Sequence, residues 1–477
     1  MKLKTGQHIF LVGIGGSGLS AIARVLLGQG YKVSGSDRSL NSLTAALERD
    51  GATIYEGHDA AHINGADVLI ITSAVKNDHV EVVAARAVGI PVYKRQDIMA
   101  DLMEGKTVIA VAGTKGKTTT TSMIVHILQG CGQDPSYIVG GIMGNTGTNA
   151  GVGNSKFFVV EADEYDNMFL GLKPDIAIIT NIEWDHPDFF KTADDMVESF
   201  RKFVGLLSAD GILVTCADDR LAVKLADERL GAGLKTRTYG INQPGPYDLY
   251  LLARRRRTYF WSYWADFVQV LGAETRFEFN MPEDITFDIT IPLPGDHNIQ
   301  NTLAALIACE AAAHLRVEDM AVAVSSFKPT ARRFDVRADV NGIAIVDDYA
   351  HNPMSIKAVL EAAKQRYPER EVWAVWQPHT YSRTQALFTS FVKAFADADH
   401  VLITDIYAAR EALIEGVSSG AVVAAMQHPD VRLTPTFADA VAVLSDNVKA
   451  PAVIIIMSAG DAPDIGVQYL KLLQGST

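Results

Sequence analysis

Only three cysteines, Cys131, Cys216 and Cys309, occur in 477 residues, too few and too scattered for a disulfide framework or a zinc knuckle. They read as core thiols of a protein kept in a reducing compartment. No apolar run approaches the roughly 18 to 20 residues of a membrane span. The N-terminal MKLKTGQHIFLVGIGG breaks its short apolar stretch with glycines where a secretory signal would carry a longer one and a cleavage site. Positive charge is also in short supply. Against 56 Asp and Glu stand 43 Lys and Arg, a formal net charge of -13, so the overall field repels polyanions and argues against a nucleic-acid partner. Short-period repeats and low-complexity segments are missing as well. What remains, at 48% hydrophobic and 21% charged residues, is the composition of an ordinary globular protein, expected in the cytoplasm with no membrane partner.

At about 150 residues per domain the length suggests three. Short β-branched runs (HIFLVGI, YKVSGSD, ADVLIIT, TVIAVAG, FFVVEAD, DIAIITN, GILVTC) alternate with segments of helical period such as SGLSAIARVLL. That alternation predicts parallel sheets covered by helices, an α/β protein. The pattern restarts after DLMEGK and again after SSFKPTARRFD, which divides the chain into 1–105, 106–329 and 330–477. The first and last blocks read as Rossmann-like. The middle one reads as a P-loop-type ATPase with a mixed sheet, because FEFNMPEDITFDITIPL alternates as antiparallel hairpins do.

Most polar clusters sit just past a predicted strand, where open parallel sheets bind ligands. After TVIAVA come Gly113, Thr114, Lys115, Gly116, Lys117, Thr118 and Thr119, leading into a helix. Glycines let backbone amides converge on an oxyanion, the helix N-terminus adds its positive end, Lys117 reaches terminal phosphates, and the Thr118 hydroxyl can ligate Mg²⁺. Val111 stands where a full Walker A loop has its first glycine, so the motif is a shortened variant. Glu161, Asp163 and Glu164 close the next strand, and Asn181, Glu183, Asp185 and His186 another. Glu161 and His186 are the expected Mg²⁺ ligands beside the phosphates. Asp163 and Asp185 taken alone fit a solvated loop or helix cap equally well.

Near the N-terminus, Gly13, Gly15 and Gly18 follow the GxGxxG order, with Asp37 at the end of the second strand. This marks a nucleotide diphosphate at a helix N-terminus and leaves a nicotinamide dinucleotide, and so an oxidoreductase, open. In the third block DDYAHNP and QPHTYSRT again follow strands, and an Arg there can hold a carboxylate. The run Arg254–Arg257, with aromatics beside it, reads as an exposed hairpin edge or self-association surface and receives no chemical role.

In order along the chain, GIGGSGLS, TSAVKNDHVEVVAAR, GTKGKTTTTS, EADE, TNIEWDHPD, PGDHNIQNTLAA, RRFD, DDYAHNP and QPHTYSRT resemble the motifs of the Mur ligases of peptidoglycan synthesis. The resemblance implies an ATP- and Mg²⁺-dependent ligase that couples an amino acid, L-alanine, to the carboxylate of UDP-N-acetylmuramate through an acyl phosphate, as a monomer or homodimer. It implies that Gly15, Ser17, Gly18, Asp37, Ser73 and Arg95 serve the UDP-sugar. Lys117 and Thr118 would handle ATP and Mg²⁺, with Glu161 and His186 as metal ligands. His297 and Asn301 would lie near the adenine, Arg333 near phosphate, Asp348 near the ribose with His351 in the same nucleotide site, and His379 and Arg383 near the amino acid. Lys117, His186, His379 and Arg383 are the expected catalytic set. The chain departs from the family's usual residues at Lys115, Tyr165, Asn352 and Thr380. EADEYD also occurs in the muropeptide-recycling branch, which attaches a peptide in place of one amino acid.

Overall fold

The computed structural model describes residues 3–187, 189–241, 260–282, 285–409 and 411–475, with the side chains of residues 260 and 261 left out. The Arg254–Arg257 run lies outside the described residues.

Three sheets follow one another along the chain. The first contains β1 (His8–Val12), β2 (Lys32–Asp37), β3 (Thr53–Glu56), β4 (Val68–Ile71) and β5 (Val92–Lys94), all parallel, in spatial order β3-β2-β1-β4-β5. The order reverses at β1, and the crevice there opens beside the GIGGSG turn and the helix Ser17–Gly28.

The second sheet has ten strands. Its centre is β6 (Thr107–Ala112), flanked by β9 (Phe157–Glu161) and β10 (Ile176–Ile179), all parallel. Beyond β9 lie β7 (Ser136–Ile138) and β8 (Ala150–Gly151). Beyond β10 come β11 (Ile212–Cys216), β12 (Thr236–Ile241), β13 (Phe260–Leu271), β14 (Glu274–Met281) and β15 (Ile285–Ile291). The β13-β14-β15 meander is antiparallel, as the alternating sequence predicts.

The third sheet comprises β16 (Asp335–Val340), β17 (Ile343–Asp348), β18 (Glu371–Trp376), β19 (His400–Ile403), β20 (Val431–Leu433) and β21 (Ala452–Met457), in order β16-β17-β21-β18-β19-β20. Only β16 pairs antiparallel.

Core placement follows from the period-two geometry of β6. Val108, Ala110 and Ala112 face one apolar cluster, whereas Ile109 and Val111 face another formed with the helices Lys117–Gly130 and Asp296–Ala313. The first of these clusters also takes in Ile9, Leu11, Leu19 and Ile22, so the first two domains share one continuous core. The third domain keeps its cores to itself. Cys216 and Cys309 are buried, Cys131 is partly so, and all three are free thiols. Among the described residues no helix is long and apolar enough to cross a membrane.

Candidate active site

The phosphate turn joins β6 to the helix Lys117–Gly130. Gly116 caps this helix at φ 81°, in the left-handed region, and a Cβ there would run into the Asn301 carboxamide oxygen. Asn181 fixes the turn from the side: its Oδ1 accepts the Lys115 amide (2.9 Å) and its Nδ2 donates to the Lys115 carbonyl (3.1 Å). Thr114 Oγ1 donates to the Glu183 carbonyl (2.9 Å) and accepts from its amide (2.8 Å), tying the turn to the end of β10.

Inside this frame Lys117 Nζ donates to the Gly113 carbonyl (2.6 Å) and to Glu164 Oε2 (2.7 Å). Burial raises the Glu164 carboxyl to about 7 even though the Lys117 ammonium pulls it the other way. Burial works against the Lys117 charge in turn, but Glu164, Asp163 and Glu161 outweigh it and hold the ammonium above its usual range. Thr118 Oγ1 donates to Glu161 Oε1 (3.0 Å), and Glu161 Oε2 accepts the Gly140 amide (2.6 Å). A Cβ at Gly140 would strike that carboxylate, so the approach needs glycine. His186 Nε2 lies 3.7 Å from Glu164 Oε1, and its ring is 5.0 Å from that of Tyr165. Burial lowers its pKa, leaving a neutral imidazole with a lone pair.

Asp185 is the joint between the middle and third domains. Its carboxylate takes Lys115 Nζ (3.1 Å), Arg383 Nε (3.2 Å) and Asn352 Nδ2 (3.3 Å). Burial alone would raise its pKa, but Lys115, Arg383, His186 and His351 hold it well below the carboxylate range. Arg383 Nη1 also donates to the His379 carbonyl (2.9 Å). Burial, reinforced by Arg383, lowers His379 to about 4, and His351 is lowered by burial in the same way. Arg333 Nη2 reaches Thr118 Oγ1 (3.5 Å). Asp348 accepts the amides of Phe334 and Ala350 (both 2.7 Å), which pins the entry to the third domain. On the middle domain, burial lowers His297 to about 4, and Asn301 Oδ1 accepts from Thr120 Oγ1 (3.1 Å).

One cleft of about 1030 Å³ runs between the three domains. From the first domain it collects Ser17, Gly18 and Arg95. The middle domain supplies Thr114, Lys115, Gly116, Lys117, Thr118, Thr119, Glu161, His186, His297 and Asn301, and the third Arg333, Asp348, His351, His379 and Arg383. Gly113 lies one residue behind the lining, its carbonyl facing Lys117. Gly15, Asp37 and Ser73, expected at the UDP-sugar, are not among the residues that line the cleft. Asp37 Oδ2 accepts the Gly15 amide (2.8 Å), so Asp37 shapes the glycine turn, and Ser73 donates to Asp166 Oδ2 (2.6 Å). Arg95 Nη2 donates to Asp163 Oδ2 (3.1 Å), bridging the first and middle domains. Asp185, Glu164 and Asn352 are the functional side chains that sequence reasoning left without a role. Their partners come from distant segments, and only the DHP and EADE motifs themselves signalled that those acids mattered.

A phosphate turn opening into a cleft shared by three α/β domains defines a class of multidomain nucleotide-handling enzymes. The chain belongs to the Mur ligase family. Family profiles match along nearly its whole length, as "Mur ligase family, catalytic domain" over residues 8–107, "Mur ligase middle domain" over 111–309 and "Mur ligase, glutamate ligase domain" over 332–460. A UDP-N-acetylmuramate–L-alanine ligase of Roseiflexus sp. (strain RS-1) is 40% identical, with 98% of this chain and 99% of that protein covered. The crystal structure of the UDP-N-acetylmuramate–alanine ligase of Thermotoga maritima superposes with a TM-score of 0.80 at 26% identity, covering 98% of this chain and 100% of that one. A murein peptide ligase of Psychrobacter arcticus shares the fold, with a TM-score of 0.69 at 24% identity over 98% and 99% of the two chains.

Proposed function

We propose that this chain is an ATP-dependent ligase joining L-alanine to the carboxylate of UDP-N-acetylmuramate, with ADP and phosphate as products, in the cytoplasmic phase of peptidoglycan precursor synthesis. The observation that carries it is the meeting of Lys117, Glu161, His186 and Arg383 around one cleft that also reaches the first domain's glycine turn. Likeness to the Roseiflexus ligase over 98% of the chain supports the choice of substrates.

A carboxylate is a poor electrophile. Its oxygen attacks the γ-phosphorus of ATP, ADP leaves, and the resulting acyl phosphate accepts the amine, expelling phosphate as the nitrogen loses a proton. Two anions must approach in the first step, so the protein's work is positioning and charge neutralisation rather than nucleophilic attack. Lys117 supplies a fixed positive charge at the transferring group once it exchanges a loop carbonyl for a phosphoryl oxygen. Arg333, beside Thr118, adds a second cation from the third domain. Thr118, Glu161 and His186 present a hydroxyl, a carboxylate and a neutral imidazole, a donor set that suits Mg²⁺ together with water. When bound there, the ion neutralises phosphoryl charge. Ser17 and Gly18 begin a helix whose N-terminus suits a diphosphate, and Arg95 lies over Gly18. His297 and Asn301 line the adenine end, Asp348 and His351 the ribose side. His379 and Arg383 receive the amino acid, with Arg383 directed by Asp185.

The EADEYD segment, whose Tyr165 packs near His186, favours one second reading, a ligase that attaches a peptide instead of L-alanine. Phosphate release from ATP with UDP-N-acetylmuramate, measured with L-alanine, L-serine, glycine and L-alanyl peptides, separates the two. L-Alanine is expected to give the largest kcat/KM. Turnover with peptides alone would move the chain to the recycling reaction, and no release with any acceptor would overturn the ligase assignment.

A further inference from the structure

Beside the end of β2 in the first domain, Glu81 is fully buried in the first turn of the helix Val80–Ala87. No lysine or arginine pairs with it among the described residues. Its ion-pair partners are three imidazoles: His58 Nδ1 at 3.1 Å, His62 Nδ1 at 3.2 Å and His79 Nδ1 at 3.8 Å. Ser36 Oγ donates to the same carboxylate (2.7 Å). A buried carboxylate requires a compensating positive charge, and the helix N-terminus offsets only part of it. His79 Nδ1 accepts the Glu81 backbone amide (3.4 Å), so this ring caps the helix and donates no proton from that atom to the carboxylate.

The geometry supplies a remedy. One ligand atom from each of His58, His79 and Glu81 lies within 4.8 Å of the others. A tetrahedral ion with bonds of about 2.0–2.1 Å sets its ligand atoms roughly 3.4 Å apart, close to the 3.1 and 3.8 Å separations already present. The imidazoles keep about a fifth of their side-chain surface exposed (22% and 19%), whereas the carboxylate has none, so an ion has a way in and a fixed anionic floor. The Ser36 hydroxyl lies 3.0 Å from His58 Nδ1 and 2.7 Å from Glu81 Oε2, so its oxygen converges on the same point as the two ligand atoms. His62, stacked on Tyr55 at 4.3 Å, stands beside the other carboxylate oxygen and holds the carboxylate in place.

We propose that His58, His79 and Glu81 form a binding site for one divalent transition-metal ion of the zinc type, separate from the Mg²⁺ site at the phosphate turn. Imidazole-rich N/O donor sets select Zn²⁺ or Co²⁺ over Mg²⁺ and Ca²⁺, which prefer all-oxygen shells. The site borders the end of β2. Ser36 precedes Asp37, whose carboxylate holds the Gly15 amide, so the ion braces the strand end that shapes the first glycine turn.

The test uses the full chain stripped with a chelator and titrated with ZnCl₂ or CoCl₂ in excess Mg²⁺, so that the phosphate-turn site stays filled. One equivalent is expected to bind, with the visible absorption of tetrahedral Co²⁺. His79→Ala and His58→Ala should each weaken binding at least tenfold, while Glu161→Gln leaves it unchanged. His79 and His58 are partly exposed, and melting curves of the stripped proteins check that both variants fold. Zn²⁺ binding that persists in His79→Ala, that disappears in Glu161→Gln, or that never reaches one equivalent would overturn the site and leave the cluster a proton-linked hydrogen-bond network.

Discussion

Lys117 and Glu164 form a buried pair whose two members answer pH differently. The Glu164 carboxyl sits near 7 in the folded chain, above its ordinary 4.5, so the folded state binds more protons than the unfolded one across that interval. Stability from this group is complete at acid pH and falls as pH rises through about 7. Lys117→Ala removes the cation that limits the rise, so the variant should melt close to wild type at about pH 5 and about 3 kcal/mol less stably at about pH 8, where the carboxylate is left buried and unpaired. Phosphate release should fall at least about 100-fold at either pH, because the charge at the transferring group is gone. Melting scans at both pH values together with turnover check it; unaltered turnover, or equal destabilisation at the two pH values, would refute the pairing or the role. Lys117 and Thr118 were legible in the sequence because glycine, lysine and threonine stand together in one short turn. Asp185 was not, since its three partners lie at 115, 352 and 383, and only folding brings them to one carboxylate. Asp37 and Ser73, expected at the UDP-sugar from the motif and the family resemblance, bond to the Gly15 amide and to Asp166, contacts that no local pattern announces.

Within single elements the sequence was most informative where local period and burial agree. The runs TVIAVA, IAII and AVIIIM are buried almost throughout, which is what a parallel strand covered on both faces requires. The antiparallel meander was equally readable from its alternation. The packing around the phosphate turn was not, because the Asn301 side chain that touches Gly116 arrives from a helix almost two hundred residues downstream. That contact makes Gly116 the most demanding position in the element. Its φ of 81° is strained for any other residue, and a methyl group would displace the Asn301 carboxamide. Gly116→Ala should therefore cost about 1–3 kcal/mol in stability and raise KM for ATP more than it lowers kcat. A variant with wild-type melting and wild-type KM would show that the turn tolerates a side chain and is looser than its geometry implies.

Across the whole molecule, the two inter-domain boundaries are built from different materials. Apolar residues of the first two domains merge in one core, which resists relative motion, whereas the third domain meets the middle one largely through polar groups at the cleft. Arg383 and Asn352 on Asp185, and Arg333 on Thr118, are polar contacts whose groups water can solvate once the domain swings away and exposes them. The movable part is thus the third domain, turning about the segment that precedes Phe334, where the Asp348 carboxylate anchors the chain. Closure is expected because Arg333 meets Thr118, and Arg383 meets Asp185, only when that domain is docked. Small-angle scattering should show the radius of gyration shrinking when a non-hydrolysable ATP analogue and UDP-N-acetylmuramate are added. Arg383→Ala should give a larger radius than wild type with both ligands present, since Asp185 then keeps Lys115 but loses its grip on the third domain. If the variant and wild type scatter identically in every liganded state, the Asp185 carboxylate does not latch the domain, and closure must be driven by the ligands' own contacts.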